Sequence, residues 1–141
     1  MSDQAHRYAL RVQWEDTDAA GIVYYANYLR FIERARSDLL LQHGIDQLGL
    51  IRGEEGIAFA VRACNIEYLK PARLHEELTV FTTITESRGA SVSLQQDVWR
   101  GEEVLARALV KLACIDQKGR PTRVPRAIAA IFATLSPNLS R

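Results

Sequence analysis

NYLRFIERARSDLLLQHG, residues 27–44, is the stretch on which the fold turns in this 141-residue chain. Tyr28, Ile32, Ala35 and Leu39 recur at i, i+4, i+7 and i+11, the spacing of one helical stripe. Phe31 and Leu40 widen that stripe. Arg30, Glu33, Arg34 and Asp38 fall mostly on the other side, and Glu33, Arg34 and Arg36 offer weak charge pairing along the helix. Gly44 supplies the stop. The spacing predicts one long helix over 27–43, with His43 at its end, where a cationic ring would suit the helix dipole.

Everything else on either side reads mainly as strand. Residues 8–14 alternate and are rich in strand formers. Residues 57–69 alternate loosely and stop at Lys70-Pro71. Residues 78–86 carry threonine at four places, which favours strand over helix. After a turn at 87–90, residues 92–100 and 104–115 form a long hairpin around Gly101. A second turn at 116–120 leads to a short helix over 125–135, with Pro125 near its first turn and Ile128, Ile131, Phe132 and Leu135 as its apolar stripe. One long helix and a run of antiparallel strands predict an α+β chain, a five-stranded antiparallel sheet with the helix on one face, in a single domain over 1–141. The outer face and edges of such a sheet need cover, which points to an oligomer.

Composition narrows the function. The hydrophobic fraction is 48% and the charged fraction 25%, values of a folded globular protein rather than a disordered chain. Eighteen basic against seventeen acidic residues lack the basic excess of a nucleic-acid binder. Residues 1–7 are polar, with no apolar signal core, and no stretch approaches the roughly 18 apolar residues of a membrane helix, so the expected location is cytoplasmic. Cys64 and Cys114 read as buried free thiols.

The familiar phosphate, dinucleotide, serine-hydrolase and dithiol motifs are absent. His6, His43 and His75 stand alone, without the i+3 or i+4 neighbour a helical metal site needs, so no metal is expected. The unusual segment is 15–27, which sets Glu15, Asp16, Asp18 and Gly21 just before the long helix. A helix N-terminus offers unpaired N–H groups and partial positive charge, suited to an oxygen that becomes negative during a reaction. A carboxylate beside it could be nucleophile or general base. Composition alone favours a blander role, capping of the helix by these acids.

The run Trp14-Glu15-Asp16-Thr17-Asp18-Ala19-Ala20-Gly21-Ile22-Val23-Tyr24-Tyr25-Ala26-Asn27-Tyr28-Leu29, followed by Phe31-Ile32-Glu33-Arg34-Ala35-Arg36, closely resembles the signature of the hotdog-fold acyl-CoA thioesterases of the 4-hydroxybenzoyl-CoA thioesterase family. Within that family the chain is most similar to the Tol–Pal-associated, YbgC-type branch. Glu67-Tyr68-Leu69-Lys70-Pro71-Ala72-Arg73-Leu74 and Ser87-Arg88-Gly89 continue the resemblance, which spans about residues 8–132.

The resemblance implies a five-stranded antiparallel sheet wrapped around one central helix. It implies that Asp18 is the catalytic carboxylate, that Asp16 is structural, and that the backbone N–H of Tyr25 polarises the thioester carbonyl. Gly21, Tyr24 and Arg88 are implied as substrate-binding residues, Arg88 toward a CoA phosphate. Arg123 and Arg126 are further candidates for the phosphates, although solvated surface arginines are the commoner case. The implied enzyme uses no cofactor and no metal. Its site lies between two subunits, with a homodimer or homotetramer as the assembly, and an acyl carrier protein or an envelope-associated protein as a further partner. Two departures stand out. Tyr25 occupies a position that is usually histidine in the Tol–Pal branch and aromatic in the aryl-CoA branch, which leaves fatty-acyl and aryl thioesters both open. Gly89 and Ala90 lack the extra positive charge of the aryl-CoA branch.

Three functions follow from this reading: an acyl-CoA thioesterase, a non-catalytic module binding acyl-CoA or acyl carrier protein, and a hydratase of enoyl thioesters. Asp18 and Gly21 argue against the pure binder. The hydratase pattern needs a histidine a few residues after the aspartate, and none follows Asp18 before His43.

Overall fold

A computed structural model describes residues 5–136; residues 1–4 of the polar amino end and residues 137–141 lie outside the described residues. Strand β1 (His6–Arg11) is followed by a 3-10 turn (Trp14–Asp16), helix α1 (Asn27–Gln42) and a short helix α2 (Gln47–Arg52). Strands β2 (Ala58–Tyr68), β3 (Glu77–Arg88), β4 (Ser91–Arg100) and β5 (Glu103–Ile115) precede helix α3 (Arg126–Leu135). The five strands form one sheet in the order β1-β3-β4-β5-β2, antiparallel throughout. This is the α+β architecture expected from the spacing.

The sheet wraps α1. Phe31, Ile32, Ala35 and Leu39 are buried against inward-facing Val80, Leu94, Val98, Val110 and Leu112. Each fully buried large side chain contributes roughly 1.5–3 kcal/mol relative to exposure, which fixes α1 on that face. Phe132 of α3 closes one end, its ring 5.9 Å from that of Phe59.

Four local readings are corrected. The first strand stops at Arg11, because Asp16 folds back to accept the Gln13 N–H at 2.8 Å and turns the chain at Trp14. Helix α2 is an addition: Asp46 caps it, but six residues with no buried side chain give no periodic signal. Cys114 is buried as expected but Cys64 is exposed, since β2 is an edge strand with no neighbour on its outer side. His6 is not alone: its Nε2 lies 2.7 Å from Asp38 Oδ2 on α1.

Across the outer face of the sheet, Arg7, Phe81, Asp97, Arg107 and Glu67 stand in one cross-strand row. The Arg7 guanidinium sits 5.2 Å over the Phe81 ring. Asp97 is buried in this row; Gln95 Nε2 donates to its Oδ2 at 3.1 Å, while Oδ1 has no partner among the described residues. Burial pushes the Asp97 carboxyl up, with Gln95 and Arg107 pulling the other way.

Candidate active site

The site is built where the segment after β1 doubles back to start α1. Gly21 has φ +77°, a left-handed conformation that glycine adopts without a Cβ penalty. Its N–H donates to Asp18 O at 3.0 Å, and the Asp18 N–H donates to Ile22 O at 2.9 Å. Residues 17 and 23 pair across this turn, and Ile22 pairs with Arg73. Val23 N–H donates to Ala72 O at 2.8 Å, so the loop is laced to the segment before β3. That segment is itself braced by Arg100, which donates to Pro71 O at 3.1 Å and to Glu76 Oε1 at 2.8 Å.

Asp16 and Asp18, two residues apart, have opposite environments. Asp16 is 4% exposed. Its Oδ1 accepts from Asn27 Nδ2 at 2.8 Å, its Oδ2 from Gln13 N–H, and its carbonyl from the Tyr24 N–H at 2.9 Å. Asp18 is exposed in the single chain. Its Oδ1 accepts the Ala20 N–H at 2.8 Å, and no partner among the described residues engages Oδ2. One carboxylate is consumed by structure and the other is available.

The start of α1 is left open. Its N-cap is Ala26, which has no side chain able to accept, and its first turn holds no acidic residue. The capping role that composition favoured for Glu15, Asp16 and Asp18 is therefore overturned: none of them seals α1. Asn27, Tyr28 and Leu29 donate three residues back, to Tyr24, Tyr25 and Ala26. The N–H groups of Tyr25 and Ala26 donate to no acceptor among the described residues.

Aromatic side chains frame these N–H groups. Tyr68 of β2 donates its hydroxyl to Tyr25 O at 3.0 Å, and its ring lies 5.4 Å from that of Tyr28. The Tyr28 hydroxyl is buried and accepts the Ala72 N–H at 3.0 Å; burial raises its pKa. Tyr25, Tyr28, Tyr68, Val23 and Pro71 line a cavity of about 260 Å³. Tyr25 (62% exposed) and Tyr24, its ring 4.9 Å away, stand on the surface beside it. Sequence reasoning assigned no role to Tyr68 or Asn27; neither position breaks a periodic pattern, so no local signal marks them.

Arg88 is elsewhere. It closes the far end of β3, about 35 Å of strand from the site loop. It is exposed and 3.8 Å from Glu86. Val124 N–H donates to Gly89 O at 3.0 Å, which brings exposed Arg123 to the same turn. Within one chain the structure joins Asp18, Gly21, Tyr24 and Tyr25 but not Arg88.

These features define a thioesterase-like hotdog protein, and the comparisons agree. The thioesterase-like superfamily profile matches residues 12–132, and the chain belongs to that family. It is 40% identical to the acyl-CoA thioester hydrolase YbgC of Escherichia coli O157:H7, over 94% of this chain and 98% of that one. The probable thioesterase from Bartonella henselae superposes with a TM-score of 0.82 at 38% identity, covering 86% of this chain and 99% of the other. A 1,4-dihydroxy-2-naphthoyl-CoA thioesterase from Synechocystis has the same fold, with a TM-score of 0.85 at 23% identity over 93% and 97% of the two chains.

Proposed function

We propose that this chain is an acyl-CoA thioesterase that hydrolyses a fatty-acyl or aryl thioester to the free acid and CoA. The observation that carries the mechanism is the pairing of an exposed, half-engaged carboxylate, Asp18, with the unsealed start of α1 at Tyr25. The thioester carbonyl oxygen is placed at the Tyr25 N–H. Asp18 either takes a proton from water, whose oxygen then adds to the carbonyl carbon, or adds to it directly, in which case loss of the thiolate leaves a mixed anhydride that water hydrolyses to free the acid and Asp18. In both routes the negative charge that develops on the carbonyl oxygen is met by a fixed N–H and the positive end of the helix. The C–S bond then breaks, and the CoA sulfur leaves as thiolate and takes up a proton. No metal or cofactor enters. Gly21 holds the turn that presents Asp18, and Tyr24 and Tyr25 give the acyl group apolar walls.

The assembly belongs to the same proposal. Strand β2 is an eleven-residue edge with exposed Val61 and Tyr68, Leu69 follows it exposed, and the aromatic surface around Tyr25 is uncovered in one chain. A homodimer formed along β2 covers both, with a homotetramer as a larger form. Because Arg88 lies so far from Asp18, the two serve one CoA only from different subunits. No helix of the described residues is long and apolar enough to cross a membrane. We place the enzyme in the cytoplasm, with an acyl carrier protein or a component of the Tol–Pal envelope system as a further partner.

The test is purified protein against a panel of acyl-CoA and aryl-CoA thioesters with free thiol detected, alongside Asp18→Asn. Turnover should fall by at least ~100-fold in the variant while the fold survives. No thiol release from any thioester rejects the activity, and near wild-type turnover by Asp18→Asn rejects the mechanism.

A further inference from the structure

Arg36 is a buried cation, and Glu33, one turn earlier on α1, acts on it only from beyond ion-pair distance. It is 8% exposed on α1, and its Nη1 donates to Gln96 Oε1 at 3.0 Å. Gln96 is fully buried and spends its own donors on Ile32 O at 2.8 Å and Thr82 Oγ1 at 2.9 Å. The partner of Arg36 is thus a neutral amide. Among the described residues no carboxylate lies within ion-pair distance of it. A guanidinium carries five N–H donors, and removing it from water without an anion is strongly unfavourable.

The surroundings say where the anion comes from. Arg36 and Glu33 line one cleft of about 320 Å³ between α1 and β2, with Ala60 and Val61 on the opposite wall. Cys64 lies close enough to the guanidinium for each to influence the other's ionisation. Glu33 is exposed and holds no ion pair among the described residues. A cleft holding one acid and one base suits neither an anionic nor a cationic ligand. It suits its own image.

Symmetry makes that image specific. Helix α1 runs antiparallel to β2, since Tyr28 packs on Tyr68 while Leu40 shares the cleft with Phe59, Ala60 and Val61. Full-length antiparallel pairing of β2 (Ala58–Tyr68) with its copy puts a twofold axis at the strand midpoint, Ala63. Arg36 stands beside Cys64, level with that midpoint. Across the axis the two α1 helices also run antiparallel, so residues one turn apart exchange partners.

We infer that Arg36 of each subunit pairs with Glu33 of the partner subunit, giving two reciprocal ion pairs that stitch the α1 helices together across the dimer axis. The inference rests on the β2 dimer proposed above.

The test uses Glu33→Arg and Arg36→Glu as two separately tagged proteins, with sedimentation at micromolar concentration as the readout. Wild type should be dimeric. Each variant alone places like charges opposite one another, and its dimer should weaken by at least ~100-fold. Mixed or co-expressed one to one, the Glu33→Arg subunit brings a cation to each of the two contacts and the Arg36→Glu subunit brings an anion to each. Opposite charges then face one another at both, and a heterodimer should form at wild-type strength. An ion pair confined within each chain cannot be rescued by mixing. A mixture that stays monomeric beside a dimeric wild type, or single variants that dimerise normally, overturns the inference. A monomeric wild type overturns the β2 dimer itself, and the ion pairs with it. If Arg36→Glu does not fold even beside its complement, Glu33→Gln decides, because its exposed site tolerates the change. It should weaken the dimer by at least ~10-fold, and an unchanged dimer overturns the inference.

Discussion

Asn27, the first residue of α1, donates its side-chain N–H to Asp16 Oδ1 at 2.8 Å, tying the start of the helix to the turn that ends the first strand segment. The other Asp16 oxygen holds Gln13, so one buried carboxylate aligns both sides of the loop that carries Asp18.

Asp16→Asn should therefore act on stability first. Whichever way the amide is turned, an NH2 donor replaces one of two acceptors in a buried site and faces another N–H. A loss of about 1–3 kcal/mol is expected in denaturant unfolding. Turnover of the remaining folded enzyme should fall far less than in Asp18→Asn. An unchanged midpoint would show that Asp16 carries no such load.

Tyr68→Phe removes the hydroxyl that donates to Tyr25 O and leaves the ring packing intact. The Tyr25 peptide then loses an anchor worth about 1 kcal/mol, so the melting temperature should fall by a few degrees and kcat should drop by up to about five-fold with little change in KM. An unchanged kcat rejects a positioning role for Tyr68.

Arg88→Ala should raise KM for acyl-CoA with little effect on kcat, because a phosphate contact is felt equally in ground and transition states. The effect should shrink for an acyl-pantetheine that lacks the nucleotide phosphates, and at high salt. Equal losses on both substrates would instead make Arg88 a brace of the 87–90 turn.

Asp97→Asn should stabilise the protein at pH 7. Burial raises the Asp97 carboxyl in the folded state above its unfolded value, so its contribution is most favourable at low pH and is lost as pH rises through the raised value. Melting temperature of the variant should exceed wild type by a few degrees at pH 7, and the gap should close toward pH 4. A lower melting temperature at pH 7 would mean that the pull of Arg107 outweighs burial.

What the sequence revealed follows its periodicities. The α1 stripe is legible because Ile32, Ala35 and Leu39 repeat at helical spacing and are buried. Arg36 follows the same geometry, four residues after Ile32, but a charge reads as surface and its burial against Gln96 depends on a strand sixty residues away. Asp16 and Asp18 are indistinguishable by residue type; burial separates them. Tyr68 reaches Tyr25 across 43 residues, a contact no local pattern encodes. The resemblance supplies Asp18 and Tyr25 together, which spacing alone leaves open.

The unsealed start of α1 has a consequence for any attempt to make this protein hardier. Ala26 is already helical, with φ −68° and ψ −20°, so the side chain placed to cap the free Tyr25 and Ala26 N–H groups is that of Tyr24, whose carbonyl accepts the Asn27 N–H. Tyrosine there forgoes about 1 kcal/mol that serine or aspartate would add. Selection for heat resistance alone should therefore drift toward Tyr24→Asp or Tyr24→Ser, and the new carboxylate or hydroxyl would accept the Ala26 N–H beside the Tyr25 N–H proposed for the thioester oxygen. Thermostability and turnover are set against each other at a single side chain, and variants that gain the first there should lose the second.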